Sequence, residues 1–178
     1  MLKFEKQKSA AFLRTNETYG FLSNMCSGFP TLLNGNTFRT TEHLYQALRF
    51  TNHADVQKKI VEQASPITAK MVCRENIEKG RPNWEDEKVE IMHFCISLKA
   101  LQNDEFKQKL LKTGDLEIVE ISYKNQFWGA TPKGDFYIGE NTLGLILSSI
   151  RDDIKNDEFS IELPKLDLKI FGVDLRLD

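Results

Sequence analysis

Apolar residues recur along this chain in two different periods. Through the middle they return every three or four positions, the spacing of a helix with one buried side. Near the C-terminus they alternate: Leu166, Leu168 and Ile170 with Asp167 and Lys169, then Val173, Leu175 and Leu177 with Asp174 and Arg176. That period of two, interrupted by Phe171-Gly172, predicts a half-buried β-hairpin, perched as a cover and paired with the N-terminal strand. In the helical part, Thr40 or Thr41 caps a helix running to about Phe50. Asp55–Ala64 is a second, with Val56 and Ile60 on one face. Ser65-Pro66 opens a third, Ser as cap and Pro in the first turn. Asn83 opens the longest, whose two apolar stripes (Val89, Met92, Ile96 and Ile91, Cys95, Leu98) predict the most buried helix. Asn103 caps a shorter one that ends at Gly114, and Asn141 caps a last one through about Ile154.

Strands are few. The stretch to about Arg14 reads as extended, 20–39 as ordered but irregular with a short strand at Asn36–Arg39, and Leu116–Ile121 as a buried strand. Asn125–Gly129 reads as another extended piece. No repeat and no Pro/Gly/Ser linker divides the chain. The expected fold is mainly α (α+β): a single helical domain over 1–178, with a few short strands and the C-terminal hairpin.

Composition narrows the classes. The 178 residues are enough for one core. A mix of 40% hydrophobic and 28% charged residues is ordinary for a globular chain. The longest apolar run, Leu143–Leu147, is far shorter than a membrane span, which needs roughly 20 residues. No membrane partner is therefore expected. Met1–Lys6 carries charges where a signal peptide is apolar, and Cys26, Cys73 and Cys95 form no C-x-x-C pair; both predict a reduced, cytoplasmic setting. The net charge of −2 argues against coating duplex DNA. Yet residues 152–178 hold eight acids against four bases, which leaves a mildly basic body.

Candidate chemistry lies in four places. On the first helix, Glu42, Tyr45, Gln46 and Arg49 share one face, a row able to orient a polar ligand or simply to face water. On the third, Lys70 and Arg74 stand one turn apart. A lysine beside a fixed cation becomes a better nucleophile, and such a pair also suits phosphates. Trp84 begins the long helix with Lys88 one turn on. Finally, Asn125–Gly129 precedes Gly139–Gly144, where Asn141 would set a helix N-terminus in a Gly-rich loop, a ready anion site. Gly144, inside a helix, implies close approach of something to its backbone. His43, His53 and His93 lack metal-ligand spacing and no G-x-S-x-G elbow exists, so neither metal nor cofactor is expected.

These pieces stand in a familiar order. F-L-S-N (Phe21–Asn24), T-E-H-x-Y-Q-A (Thr41–Ala47), S-P-x-x-A-K (Ser65–Lys70), N-W-x-x-x-K-x-x-x-M (Asn83–Met92), T-G-D-x-x-I-V-E (Thr113–Glu120), F-W-G (Phe127–Gly129), G-x-N-x-L-G (Gly139–Gly144) and I-R (Ile150–Arg151) together resemble the NADAR family over about Tyr19–Ile154. Residues 155–178 form an extension beyond it. The resemblance implies a helical domain that binds or cleaves ribosides of the ADP-ribose kind. One branch removes ADP-ribose from guanine in nucleic acid; another hydrolyses phosphoribosylated intermediates of riboflavin synthesis. Breaking a ribose–nitrogen bond builds positive charge on the sugar, which a carboxylate can meet.

By resemblance, Glu42 is the acid/base and Lys70 forms a Schiff base with the opened ribose. Tyr45, Trp84 and Trp128 stack on bases or line the pocket; Arg74, Lys88, Asn141 and Arg151 meet phosphates or buttress the site. Asn24, Gln46, Asn125 and Gly129 complete the substrate-binding set, while Asp115 and Glu120 are structural. Lys70 goes beyond the residues general to the family and points to the guanine branch, with ADP-ribosylated guanine in DNA, RNA or a nucleotide as the partner. Many relatives carry an acid two residues before the aromatic–Trp–Gly, where this chain has Asn125, an amide that exchanges no proton at neutral pH. That departure raises a third reading, a module that binds ADP-ribose derivatives without cleaving them. The hairpin's exposed edge offers a second copy a place to form a homodimer.

Overall fold

The computed structural model describes all 178 residues. In chain order the strands are β1 (Leu2–Glu5), β2 (Ser9–Phe12), β3 (Thr31–Leu33), β4 (Asn36–Phe38), β5 (Glu117–Glu120), β6 (Ala130–Lys133), β7 (Phe136–Gly139), β8 (Lys169–Ile170) and β9 (Val173–Asp174). The helices are α1 (Thr41–Leu48), α2 (Ala54–Val61), α3 (Pro66–Glu75), α4 (Trp84–Gln102), α5 (Asp104–Leu111) and α6 (Thr142–Lys155). The fold is α+β and mainly helical, as expected, with small sheets and a short C-terminal hairpin. No helix is long and apolar enough to cross a membrane. The contacts divide the chain into two compact units: Met1–Cys26 with Asp104–Ser160, and Ser27–Asn103 with Ile161–Asp178.

In the first unit, β1, β7 and β6 form an antiparallel sheet, and β2 runs parallel to β5. The N-terminal strand therefore pairs with β7 and not with the C-terminal hairpin, which is a separate two-stranded sheet. Phe4, Val119 and Ala130 form a core, with Ala11 and Tyr137 packed on it. α6 packs on β5 and on α5. Gly144 explains itself here: a Cβ at that position would run into the Ile118 carbonyl oxygen and the Asn141 amide.

Two local expectations fail in this unit. Residues 125–129 are a turn, not an extended piece. The Asn125 Oδ1 accepts the N–H groups of Phe127 (3.0 Å) and Trp128 (3.2 Å). An Asn oxygen used in this way bends the chain back on itself. Asn141 stands at the start of α6, but its side chain caps nothing on that helix. It is wholly buried in a left-handed conformation (φ 54°). Its Nδ2 donates to the Ile118 carbonyl (2.8 Å) and its Oδ1 accepts the Glu120 N–H (3.1 Å), so the amide stitches α6 to β5. The first free N–H groups of α6 are also used. Thr142 and Leu143 donate to the carbonyls of Phe127 and Trp128, both at 3.0 Å. The anion site expected at this helix end is closed by the chain's own carbonyls.

In the second unit, α1, α2 and α3 pack on one another and α4 lies along α1. All eight residues of α1 are buried, polar ones included. On α4, Trp84 apart, burial is confined to the second half; among residues 91–100 only His93 is exposed, while 85–90 are solvated or half-buried. The most completely enclosed helix is thus α1, not α4. The Thr40 Oγ1 caps it by accepting the His43 N–H. His43 in turn uses both ring nitrogens, on the Thr40 hydroxyl (2.8 Å) and the Gln63 carbonyl (3.1 Å). β8 and β9 are two residues each. They are joined by Phe171 (φ 52°) and Gly172 (φ 81°). Two central residues at positive φ make a tight hairpin turn. Leu168 and Ile170 are buried, whereas Val173 and Leu177 are exposed, so the alternation buries only the first arm of the predicted hairpin.

Candidate active site

Glu42 occupies the first turn of α1, where the helix dipole favours a negative charge, and is 5% exposed. One turn on, the Gln46 Nε2 donates to the Glu42 Oε1 at 2.7 Å. The Lys70 Nζ, brought in from α3, lies 3.7 Å from the same oxygen. The charge set against Lys70 is therefore Glu42; Arg74 is exposed and makes no ion pair. Oε1 is thereby fixed, and Oε2 makes no hydrogen bond within the protein. The Gln46 Oε1 is buried and also lacks a partner. A carboxylate oxygen and an amide oxygen are thus both left as open acceptors beside an ammonium.

Aromatic packing frames this group. The Tyr45 and Trp84 rings lie 4.9 Å apart, inclined at 50°. The Arg49 guanidinium sits 4.9 Å from the Trp84 ring centre, within cation–π range. Burial, helped by the Glu42 charge, pushes the Tyr45 phenol far up, so it is neutral at any working pH. Gly80 makes room for the arginine: a Cβ there would stand 3.0 Å from the Arg49 Nε. That Nε is buried without a hydrogen-bond partner. Cys73, one turn after Lys70, is buried and its thiol is pushed up mainly by desolvation.

Of the residues proposed from the sequence, Glu42, Gln46 and Lys70 form one contact group, with Tyr45 and Trp84 beside one another in the same unit. Lys88 pairs with Glu85 at the solvated start of α4. Asn24, Asn125, Trp128, Gly129, Asn141 and Arg151 belong to the other unit. There Arg151 is buried, with Nη1 donating to the Thr113 hydroxyl (3.1 Å) and the Leu116 carbonyl (2.8 Å) and Nε to Asp152. These bonds make it a buttress. Asp115 is a surface partner of Lys155 and Glu120 is half-buried on β5. Arg49 was legible as a member of the Glu42 row, but the spacing assigned it no role; its place over Trp84 is a tertiary fact.

A family model described as the NADAR domain matches residues 11–155. The chain belongs to the NADAR family. The match takes in every site residue named above and leaves the hairpin outside it. Within this family, the N-glycosidase YbiA of Escherichia coli (strain K12) is 30% identical over 143 residues, covering 80% of this chain and 86% of that one. An N-glycosidase of Nostoc punctiforme is 33% identical over 147 residues, covering 82% of this chain and 92% of the relative. A riboflavin biosynthesis protein of Vibrio vulnificus is 35% identical over 146 residues; this is 81% of the present chain but spans only 38% of that relative. The solution structure of E. coli YbiA shares the fold, with a TM-score of 0.72 at 26% identity, covering 91% of this chain and 97% of that one. NADAR membership and the near-full-length matches to the two N-glycosidases support a hydrolase of N-glycosyl bonds.

Proposed function

We propose that the protein is an N-glycosidase that removes ADP-ribose from guanine in nucleic acid. The observation that carries this reading is the contact between a buried, oriented carboxylate and a half-exposed lysine, Glu42 and Lys70 at 3.7 Å. Glu42 takes the proton from the Lys70 ammonium and leaves a free amine. As Glu42 passes that proton to the ring oxygen, the C1–O4′ bond breaks, the ribose opens and the link to the base becomes a C1 iminium. The amine adds to C1, the C1–guanine nitrogen bond breaks, and the guanine departs with a proton returned through Glu42. The remaining lysine–C1 imine is hydrolysed by water, which releases ADP-ribose and regenerates Lys70. Gln46, by holding Oε1, aims Oε2 at the sugar, where charge develops as the bond breaks.

The support for guanine as the leaving group is Lys70, since a plain hydrolysis at a phosphoribosyl amine needs only the carboxylate. The test is release of ADP-ribose from a guanine-modified oligonucleotide, with Glu42→Ala as the control. Equal release by both proteins, or none by either, overturns the reading. Borohydride added during turnover should trap a covalent sugar adduct on Lys70, and its absence counts against the imine.

A second reading, hydrolysis of a phosphoribosylated riboflavin-pathway intermediate, is favoured by the name of the Vibrio vulnificus relative. Turnover of phosphoribosylaminouracil without release of ADP-ribose from modified guanine would select it. The reading as a binding-only module, which rests on Asn125, would be selected by tight ADP-ribose binding with no turnover of either substrate. The Asn125 oxygen serves the turn before Trp128, a task that an aspartate oxygen performs equally.

A further inference from the structure

α3 has an outward face that the chemistry of Glu42 and Lys70 does not explain. Ile67, Lys70, Met71 and Arg74 are spaced i, i+3, i+4 and i+7, which places them along one stripe. The opposite side of α3 is held in the unit by Ala69 and Cys73, both buried. On the stripe, Ile67 is 66% exposed, Met71 50% exposed and the Lys70 side chain 38% exposed, and Arg74 is exposed without a partner. No acid lies on it; Glu75 is about a quarter turn round the helix. Two large apolar side chains left in water and alternating with two cations are unusual on a helix with no apolar partner. The alternation matches one kind of occupant, a polymer that is anionic along its backbone and apolar at its faces. That is a single strand of nucleic acid, whose phosphates meet cations and whose bases stack on apolar side chains. Lys70 belongs both to this stripe and to the contact with Glu42, so the surface is continuous with the candidate active site.

We infer that the Ile67–Met71–Arg74 face of α3 is the seat for the nucleic-acid strand next to the modified guanine, and that the protein acts on a polymer in preference to a free nucleotide. This rests on the proposed removal of ADP-ribose from guanine. It adds where the strand lies and which residues separate the two substrate forms.

The experiment compares Ile67→Ser/Met71→Ser with the unaltered protein on two substrates, an ADP-ribosylated guanine within a short single-stranded oligodeoxynucleotide and the same modification on a free guanine nucleotide. The double variant should raise KM for the oligonucleotide about tenfold and leave kcat/KM for the nucleotide within about twofold, because both side chains are solvent-exposed and neither belongs to the Glu42–Lys70 contact. For the unaltered protein, log KM for the oligonucleotide should rise with log salt with a slope of about 0.7, from the one cation of the stripe left for a phosphate, Arg74, since Lys70 is engaged with Glu42 and the sugar. Equal losses on both substrates, or no loss on the oligonucleotide, overturn the inference. If neither substrate is turned over, the proposed function falls instead. The seat is then judged by the anisotropy of a labelled unmodified oligonucleotide: weaker binding by the double variant sustains it, and unchanged binding removes it.

Discussion

Two of the polar clusters buried in this protein are finished differently. Around Asn141, in the first unit, each amide atom is used: one donates to the Ile118 carbonyl, the other accepts from the Glu120 N–H. Around Glu42, in the second, the pairing is left incomplete. Gln46 gives its N–H group to Glu42, but its own oxygen is buried without a donor, and the Arg49 Nε has no partner. A closed cluster is scaffold, since its energy is already realised in the folded state. An open one carries a desolvation cost that a ligand can relieve, which is why the proposed function is placed on it.

Substitutions can break this comparison, and the largest effect should fall on the closed cluster. Asn141→Leu strands a buried carbonyl and a buried N–H and puts a branched side chain at positive φ. A loss of about 5 kcal/mol of stability is expected, enough to prevent folding, measured by urea denaturation or by recovery of soluble protein. Next comes Glu42→Gln, which keeps the shape but abolishes the charge. Turnover should fall about 10³-fold, roughly 4 kcal/mol of barrier, with a melting temperature close to that of the unaltered protein. Gln46→Leu sharpens the contrast with Asn141→Leu, because the same side chain is installed in the open cluster. Stability should change by less than about 1 kcal/mol while kcat/KM drops about tenfold. The smallest effect belongs to Asn125→Asp. If its side chain serves only the turn, activity stays within about twofold; a large gain would instead restore a missing acid.

The parts of this architecture that were legible are those decided within one turn of chain. Ser65-Pro66 starts α3 and Thr40 caps α1, because a cap needs only a side-chain oxygen and an N–H group a turn away. The row from Glu42 to Arg49 was legible as a face, and Lys70 as its companion came from resemblance. What could not be read was set by pairing across long separations. Asn125 and Asn141 have ordinary turn and cap signatures, and their partners decide their parts: a bend before Trp128 for one, a clasp on β5 for the other. The hairpin went astray for a similar reason. Alternation predicted two half-buried arms, but only the arm with Leu168 and Ile170 is covered, and β1 found its partner in β7.

Gln57 gives that hairpin a significance beyond its size. Wholly buried on α2, it donates to the Ala47 carbonyl on α1 (3.1 Å) and the Lys169 carbonyl (2.7 Å), and accepts the Phe171 N–H (2.7 Å). A single amide thereby ties the C-terminal segment to the helix that carries Glu42. A fragment cut where family similarity ceases, at residue 155, would contain every candidate site residue yet lack the brace on the end of their helix. For whoever trims or fuses this protein, the boundary of resemblance and the boundary of the working part are different places.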